Sequence, residues 1–215
     1  MQGKQFVVVE GVIGAGKTTL ARMLSERWQA QLVLEQFEDN PFLEDFYRDR
    51  RRYAFQTQLN FLMSRHQQQM DLLQRDIFAP RLVSDYLFQK DRVFANINLS
   101  DKELRLYERL FPILERDVAV PDLVIYLQAS NHTLMQRIGK RGREYEKGMD
   151  PEYIQALNEA YDYFFFHYDA TPLLVVQTDG LDLVENEGQR RELMERIDEH
   201  TGGTVYYRPF QEGAL

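Results

Sequence analysis

Residues 6–20 read FVVVEGVIGAGKTTL: a short apolar run, a glycine-rich turn and the first residues of a helical pattern. Between Gly11 and Thr18 the turn fits the pattern G-x-x-x-x-G-K-[ST]. The apolar run is typical of a buried parallel strand, and the residues after Gly16 have helical periodicity. A loop of this pattern between a strand and a helix is predicted to bind phosphate.

The chemistry of such a loop lies in its backbone. Glycines allow the angles that turn successive N–H groups inward, and the following helix presents unpaired N–H groups and the positive end of its dipole. We expect Lys17 to reach the outer phosphates of a nucleotide and the Thr18 hydroxyl to bind Mg²⁺. The predicted nucleotide-binding residues of the loop are Gly11, Gly14, Ala15, Gly16, Lys17, Thr18 and Thr19. The alternative is a glycine-rich turn with an incidental lysine.

Outward from the loop, apolar runs alternate with longer helical stretches, which predicts an α/β fold with a five-stranded parallel sheet flanked by helices. The strands are expected near residues 6–10, 31–35, 81–84, 123–127 and 173–177. The helices are expected over roughly 17–29, 41–75, 87–117, 131–140, 151–168 and 186–200. The second of these ranges is long enough for two helices, and the third divides where Ser100 can cap a new helix with Glu103.

The length of 215 residues predicts a single domain over residues 1–215, and no linker divides the chain. Long paired helices can offer an apolar face to a second subunit, so a homodimer through the long helices is a hypothesis. Beyond Gly202 the pattern leaves two readings open: an edge strand over Val205 to Tyr207, or a fraying terminus.

Composition excludes several classes of function. The net charge of −8 disfavours a nucleic-acid partner, because such partners require a basic surface. The absence of cysteine removes disulfides, thiolate metal sites and cysteine nucleophiles. The chain contains neither a signal-peptide pattern nor an apolar run long enough for a membrane span. We therefore expect a soluble, cytoplasmic protein with no membrane partner.

The other motifs decide what happens to the phosphate. The patterns N-K-x-D and D-x-x-G are missing, so a nucleotide switch is unsupported. A kinase of small alcohols needs a base for the acceptor hydroxyl, and Glu35 ends the strand-like run 32–35 at the sheet edge where ligands bind. Asp85 closes the third strand and can bind Mg²⁺ with Thr18. The alternatives are a solvated glutamate at position 35 and a helix cap at position 85.

Phosphoryl transfer also needs positive charge, and residues 137–146, RIGKRGREYE, are rich in arginine. Arg137 and Arg141 share one helix face, and Gly142 allows the chain to turn before Arg143. We expect a short arginine-rich lid over about residues 139–148 on a P-loop kinase fold. The alternative is a basic helix end that interacts with its own dipole.

Taken together, these segments resemble the deoxynucleoside kinase family, especially its bacterial purine-preferring members. The resemblance spans Phe6 to about Tyr168 and rests on the order and spacing of its motifs. Besides the phosphate loop and the lid arginines, these are EQFEDNPFL (35–43), FY (46–47), YAFQTQ (53–58), FLMSR (61–65) and SDYLF (84–88).

The resemblance implies roles for further residues. Glu35 is expected to act as base on the sugar 5′-hydroxyl, and Tyr47 and Glu146 to hold the 3′-hydroxyl. Gln58 and Arg65 share one helix face and are expected to address the nucleobase. Aromatic residues such as Phe55 and Phe88 are candidates to sandwich the base, although aromatic residues at helical spacing are more often plain core.

The sequence departs from the animal-type pattern at the end of the third strand. There the family has Glu-Arg-Ser, whereas this chain has SDY at residues 84–86, so the family's catalytic arginine is missing. Asp85 is expected to take the metal role, Arg141 and Arg143 to supply positive charge, and Asp91 or Lys90 to replace a base-reading aspartate. The predicted catalytic residues are Lys17, Glu35, Asp85, Arg141 and Arg143, with Arg137 as a further nucleotide-binding residue.

The predicted function is ATP-dependent phosphorylation of the 5′-hydroxyl of a deoxyribonucleoside, with a purine as the expected base. One alternative is a thymidylate-like nucleoside monophosphate kinase. A carboxylate at Glu35 disfavours that reading, because it would repel an acceptor phosphate. A second alternative is a non-catalytic ATP-binding module.

Overall fold

The computed structural model describes residues 5–75, 81–143, 146 and 148–209. Three residues of the predicted lid, 144, 145 and 147, lie outside this range, as does the end of the chain from residue 210 to Leu215. Within the described residues, no helix is long and apolar enough to cross a membrane.

A parallel sheet forms the centre of the fold. Within the described residues its strands are β1 (Phe6–Gly11), β2 (Gln31–Val33), β3 (Leu82–Ser84), β4 (Leu123–Gln128), β5 (Leu173–Gln177) and β6 (Thr204–Tyr207). They lie in the order β2-β3-β1-β4-β5-β6, and every pairing is parallel. The α/β fold with a helix-flanked parallel sheet is confirmed.

The predicted number of strands was wrong, because the sheet has six strands among the residues that the structure describes, rather than five. The additional strand, β6, pairs with the outer edge of β5, so the edge-strand reading of Val205 to Tyr207 is the one that holds. The apolar pattern left β6 as one of two alternatives because an edge strand is not covered on both sides. Three of its four residues are exposed.

Helices cover both faces of the sheet. The described helices are α1 (Lys17–Trp28), α2 (Leu43–Arg48), α3 (Arg50–Arg75), α4 (Lys90–Asn98), α5 (Asp101–Glu115), α6 (Asn131–Arg141), α7 (Pro151–Phe166) and α8 (Glu187–Glu199). The expected division of the second and third helical ranges into two helices each is confirmed. At the second division, the Glu103 carboxylate accepts hydrogen bonds from the Ser100 backbone N–H at 2.9 Å and the Ser100 hydroxyl at 2.6 Å.

The centre of the sheet positions the phosphate loop. All six residues of β1 are buried, and Val8 aligns with Ser84 of β3 on one side and Val124 of β4 on the other. Because the strands are parallel, their carboxyl ends meet at one edge. The phosphate loop, Glu35 and Asp85 therefore follow β1, β2 and β3 at the same edge of the sheet.

Apart from the core of the sheet, a separate cluster of buried apolar residues supports the helices around the site. It contains Phe46 of α2, Leu62 of α3 and Phe111 of α5, all buried. Phe88 belongs to this cluster and stacks on Phe111 with the ring centroids 5.3 Å apart. Phe88 therefore packs in the core, as aromatic residues at helical spacing usually do.

Candidate active site

The phosphate loop has the backbone that its glycines predict. Gly16 caps α1 with φ of 102°, a conformation that side chains disfavour. At Gly11 a Cβ would lie 2.7 Å from the Leu127 carbonyl oxygen, so only glycine fits against β4. The first-turn N–H groups of α1, at Lys17, Thr18 and Thr19, have no acceptor within their helix. They form the anion-binding end of the helix.

Two loop residues already bind other parts of the loop. Lys17 Nζ donates to the carbonyl oxygens of Gly11 at 2.8 Å and Val12 at 3.3 Å. Burial lowers the pKa of the Lys17 ammonium, and the positive charge of Lys90 lowers it further. The Ala15 N–H donates to the Val12 carbonyl at 3.0 Å. The Ala15 amide thereby closes the turn of the phosphate loop.

Asp85 connects the loop to the candidate base. The Thr18 hydroxyl donates to Asp85 Oδ2 at 2.6 Å, and the Glu35 backbone N–H donates to Asp85 Oδ1 at 2.8 Å. A hydroxyl and a carboxylate at this distance are the hard oxygen donors that Mg²⁺ prefers. The two predicted metal ligands therefore lie together, beside the first turn of α1.

Glu35 lies between two cations. Arg65 donates to Glu35 Oε1 from Nε at 2.8 Å and from Nη2 at 2.5 Å, while Lys90 Nζ donates to Oε2 at 2.6 Å. Burial alone would raise the pKa of the Glu35 carboxyl, but the charges of Arg65 and Lys90 hold it well below its ordinary value. Glu35 is therefore ionised, and its two cationic partners make it a weaker base than a free carboxylate as long as they hold it.

Behind Arg65 lies a buried network around Asp91. The Asp91 carboxylate accepts hydrogen bonds from Gln58 Nε2 at 2.6 Å, from the Tyr107 hydroxyl at 2.7 Å and from Arg65 Nη1. Burial raises the pKa of Asp91, although these donors act in the opposite direction. Asp91 is fully buried and does not line the cavity, so it orients Gln58 and Arg65, which do.

The lid residues meet at Glu146. Arg141 donates to Glu146 from Nε at 3.1 Å and from Nη2 at 2.5 Å, and Arg143 Nη1 lies 3.7 Å from the same carboxylate. The Arg143 guanidinium also lies 4.3 Å from the ring centroid of Phe37. Both arginines and Glu146 line the cavity, where Tyr47 lies as well.

Arg137 lies elsewhere. Its Nη1 donates to the Ala15 carbonyl at 3.2 Å and its Nη2 to the Thr178 carbonyl at 2.8 Å. It is not among the residues that line the cavity. The structure therefore places this predicted nucleotide-binding residue behind the loop, where it ties the loop to the segment after β5.

One cavity joins the donor and acceptor sides. Its wall includes the following predicted site residues: Lys17, Thr18, Glu35, Tyr47, Gln58, Arg65, Asp85, Arg141, Arg143 and Glu146. Phe55 and Phe88 are not part of this wall, whose aromatic residues include Phe61 and Phe94. Residues that are far apart in the sequence thus form one site at the carboxyl edge of the sheet.

Sequence reasoning missed two groups in this region. Glu10 is fully buried and accepts hydrogen bonds from the N–H groups of Gly11 at 2.8 Å and Leu87 at 2.7 Å. The sequence signal for Glu10 was a charged residue at the end of an apolar run. Tyr107 had no local signal, because its contact with Asp91 depends on how α5 packs against α4.

An anion-binding loop that shares one cavity with an ionised carboxylate is the arrangement expected of an enzyme that transfers a phosphoryl group to a hydroxyl acceptor. Residues 7–201 match the model of the family described as deoxynucleoside kinase. The chain belongs to the deoxynucleoside kinase family.

Relatives align over nearly the whole chain. A deoxyguanosine kinase from Bacillus subtilis is 36% identical over 207 residues, which cover 93% of this chain and 97% of the relative. A deoxyadenosine kinase from Lactobacillus acidophilus is 32% identical over 209 residues, which cover 91% and 95%. The solved structure of deoxyadenosine kinase from M. mycoides with bound dATP has a TM-score of 0.78 at 26% identity, covering 90% of this chain and 98% of that chain.

Proposed function

We propose that this deoxynucleoside kinase transfers the γ-phosphoryl group of ATP to the 5′-hydroxyl of a purine deoxyribonucleoside, giving the 5′-monophosphate and ADP. The observation that carries the proposal is the position of Glu35, whose carboxylate lines the same cavity as Lys17 and Thr18 of the phosphate loop. The relatives, which are named as deoxyguanosine and deoxyadenosine kinases, support a purine acceptor.

On the donor side, the first-turn amides of α1 bind the phosphates and Lys17 neutralises their charge. Binding requires Lys17 to exchange its contacts with the Gly11 and Val12 carbonyls for phosphate oxygens. Thr18 and Asp85 would hold Mg²⁺, and their paired oxygen atoms fit it. When bound, Mg²⁺ supplies positive charge to the phosphate oxygens.

On the acceptor side, Glu35 accepts the proton of the 5′-hydroxyl. Tyr47 and Glu146 hold the 3′-hydroxyl, and two anchors on the sugar direct its primary alcohol at the donor. Gln58 and Arg65 address the nucleobase, and their fixed positions on Asp91 favour a defined hydrogen-bond pattern.

The lid completes the site. We propose that residues about 139–148 close over the nucleotide. Helix α6 ends within this range, at Arg141, and Gly142 follows it with φ of 66°. Closure requires Arg141 and Arg143 to turn from Glu146 towards phosphate oxygens. Glu146 then becomes available to the sugar.

The two other readings are less consistent with this site. A nucleoside monophosphate as acceptor would bring its phosphate close to the ionised Glu35 carboxylate, which is repulsive. A binding module without catalysis would not need Glu35, Asp85 and Lys17 to line a shared cavity.

An acceptor panel tests the proposal. Purified protein is given ATP and Mg²⁺ with deoxyadenosine, deoxyguanosine, deoxycytidine or dTMP, and the release of ADP and the formation of each product are measured. We expect a purine deoxynucleoside to give the highest kcat/KM. Glu35→Gln should lower kcat by roughly 100-fold or more while ATP still binds. Turnover of dTMP alone, or a Glu35→Gln variant with near-normal rate, would disprove the proposal.

We also propose that the chain forms a homodimer. Leu106, Leu110 and Ile113 of α5 are 45%, 37% and 60% exposed. Their spacing places them on one helix face. An apolar stripe of this kind on a long helix is suited to pack against its symmetry-related copy.

A further inference from the structure

Lys90 is a buried cation at the wall of the cavity. It is the first residue of α4 and is only 3% exposed. Its Nζ donates to Glu35 Oε2 at 2.6 Å, which within the described residues is its one hydrogen bond, and lies 5.9 Å from the ring centroid of Tyr86. An ammonium has three N–H donors, so two remain for a ligand. A buried donor without an acceptor is costly, which indicates that the occupant of the cavity supplies oxygen atoms to it.

The position of Lys90 lies between the two halves of the reaction. Lys90 lines the same cavity as Glu35, which lies on the acceptor side, and as Lys17 and Thr18 of the phosphate loop. Lys90 is therefore close to both the base and the loop that binds the donor.

Two ammonium groups near each other in a buried cavity repel one another. A polyanion between them relieves this repulsion, and the γ-phosphoryl group is the part of the donor that must reach Glu35. The amide cradle and Lys17 bind the donor from one side. Lys90 is placed to meet the same group from the other side, where the acceptor attacks.

We infer that Lys90 is a further catalytic residue, whose ammonium donates to an oxygen of the γ-phosphoryl group while it holds Glu35; the inference rests on the proposed function. In the transfer, the proton of the 5′-hydroxyl passes to Glu35 and the 5′-oxygen forms a bond to the γ-phosphorus. The bond from that phosphorus to the oxygen bridging it to the β-phosphate breaks, and ADP leaves with the electron pair. Lys90 keeps its proton and stabilises the charge on the oxygen atoms of the moving group.

The first test replaces Lys90 by a residue of similar length without charge. Lys90→Met should lower kcat by roughly 100-fold or more, the cost typical of one lost donor to a developing charge. The KM for ATP should also rise several-fold, because the bound donor already contacts Lys90 before transfer, whereas the KM for the deoxynucleoside should change by no more than about threefold. Lys102→Met, the same substitution at an exposed residue of α5, is the matched control and should retain wild-type kinetics.

A second variant separates charge from packing. Lys90→Ala leaves space for a small amine, and ethylammonium chloride should restore its kcat in proportion to concentration, whereas the same concentration of sodium chloride should not. A kcat of Lys90→Met within about threefold of wild type, or a loss in both variants that no amine restores, would overturn the inference. Failure of the proposed function would look different, since the wild type and Lys102→Met would then be inactive as well.

Discussion

At the scale of single residues, the acceptor half of the site depends on carboxylates that have different tasks. Glu35 lines the cavity and is held ionised by Arg65 and Lys90. Asp91 is fully buried and accepts hydrogen bonds from three side chains, including Gln58 and Tyr107. Glu35 is thus placed to take part in the reaction and Asp91 to orient other side chains, and the surroundings of each carboxylate determine its role.

Tyr107→Phe tests the orienting role of Asp91. The variant removes a 2.7 Å hydrogen bond to a buried carboxylate, so we expect a loss of about 1–3 kcal/mol in the free energy of unfolding. Because Gln58 and Arg65 depend on Asp91, the KM for the deoxynucleoside should rise several-fold with a smaller effect on kcat. Urea unfolding and steady-state kinetics measure the two effects.

Tyr126→Phe is the matched control for this variant. It removes a hydrogen bond of the same length, from Tyr126 to Asp162, among residues that do not line the cavity. Its stability should fall comparably while the KM stays unchanged. Equal changes of KM in the two variants would contradict the orienting role of Asp91.

At the scale of secondary-structure elements, the segment after β5 supports the phosphate loop from behind. Arg137 of α6 joins the carbonyl oxygens of Ala15 and Thr178. The start of α6 is held by Asp179, whose Oδ1 accepts from the Ser130 backbone N–H at 3.0 Å. The position of the phosphate loop therefore depends on two sets of contacts of α6, one with the loop itself and one with the segment after β5.

Asp179→Asn tests this connection through pH. Burial would raise the pKa of Asp179, but hydrogen bonds from Thr133 and Ser130 and the charge of Arg137 outweigh it, so the pKa is lowered from 3.8. A lowered pKa in the folded state contributes stability above pH 3.8, and that contribution is lost as the pH falls through the lower value. Asp179→Asn should therefore be less stable than wild type at pH 7, by about 1 kcal/mol or less for a partly exposed group.

The difference in stability between Asp179→Asn and the wild type should shrink towards zero as the pH falls below 3.8. Urea unfolding at a series of pH values can measure this difference. Asp169→Asn, at an exposed aspartate between α7 and β5, should match wild type throughout. A stability difference for Asp179→Asn that is independent of pH would show that the charge of Asp179 is not involved.

The elements themselves were largely predictable from the sequence. The five strands with continuous apolar runs and the helices between them follow from hydrophobic periodicity, and Ser100 with Glu103 marked a helix start. For β6 the sequence left an edge strand and a fraying terminus as alternatives, because its exposed residues lack that pattern. At the site, the strand ends indicated Glu35 and Asp85. The contact of Lys90 with Glu35 joins residues 55 positions apart and arises only in the folded chain, where α4 packs against α3 and α7.

At the scale of the whole molecule, the anion-binding loop and the exposed apolar stripe of α5 lie in different parts of the protein. The net charge of −8 is spread over a surface that nevertheless binds an anion, because the phosphate loop acts locally through amides and Lys17. The exposed stripe of Leu106, Leu110 and Ile113 lies on α5, outside the cavity. An interface on α5 would leave the cavity open to its substrates.

Ile113→Glu tests the proposed dimer. Ile113 is 60% exposed, so a charge there should leave the fold intact but should be repelled by its copy in a symmetric interface. Sedimentation equilibrium at micromolar concentration should give the mass of two chains for the wild type and of one chain for the variant. Val184→Glu, at another residue that is 60% exposed, is the control and should remain dimeric. A wild-type mass of one chain would remove the hypothesis.

The double contact of Asp85 has a thermodynamic consequence. One of its oxygen atoms binds the Thr18 hydroxyl and the other binds the Glu35 amide, so a single rigid carboxylate bridges the subsites for the two reactants. We expect a ligand that reorients this bridge to change the affinity of the opposite subsite. Linkage then requires the converse effect to be equal in size.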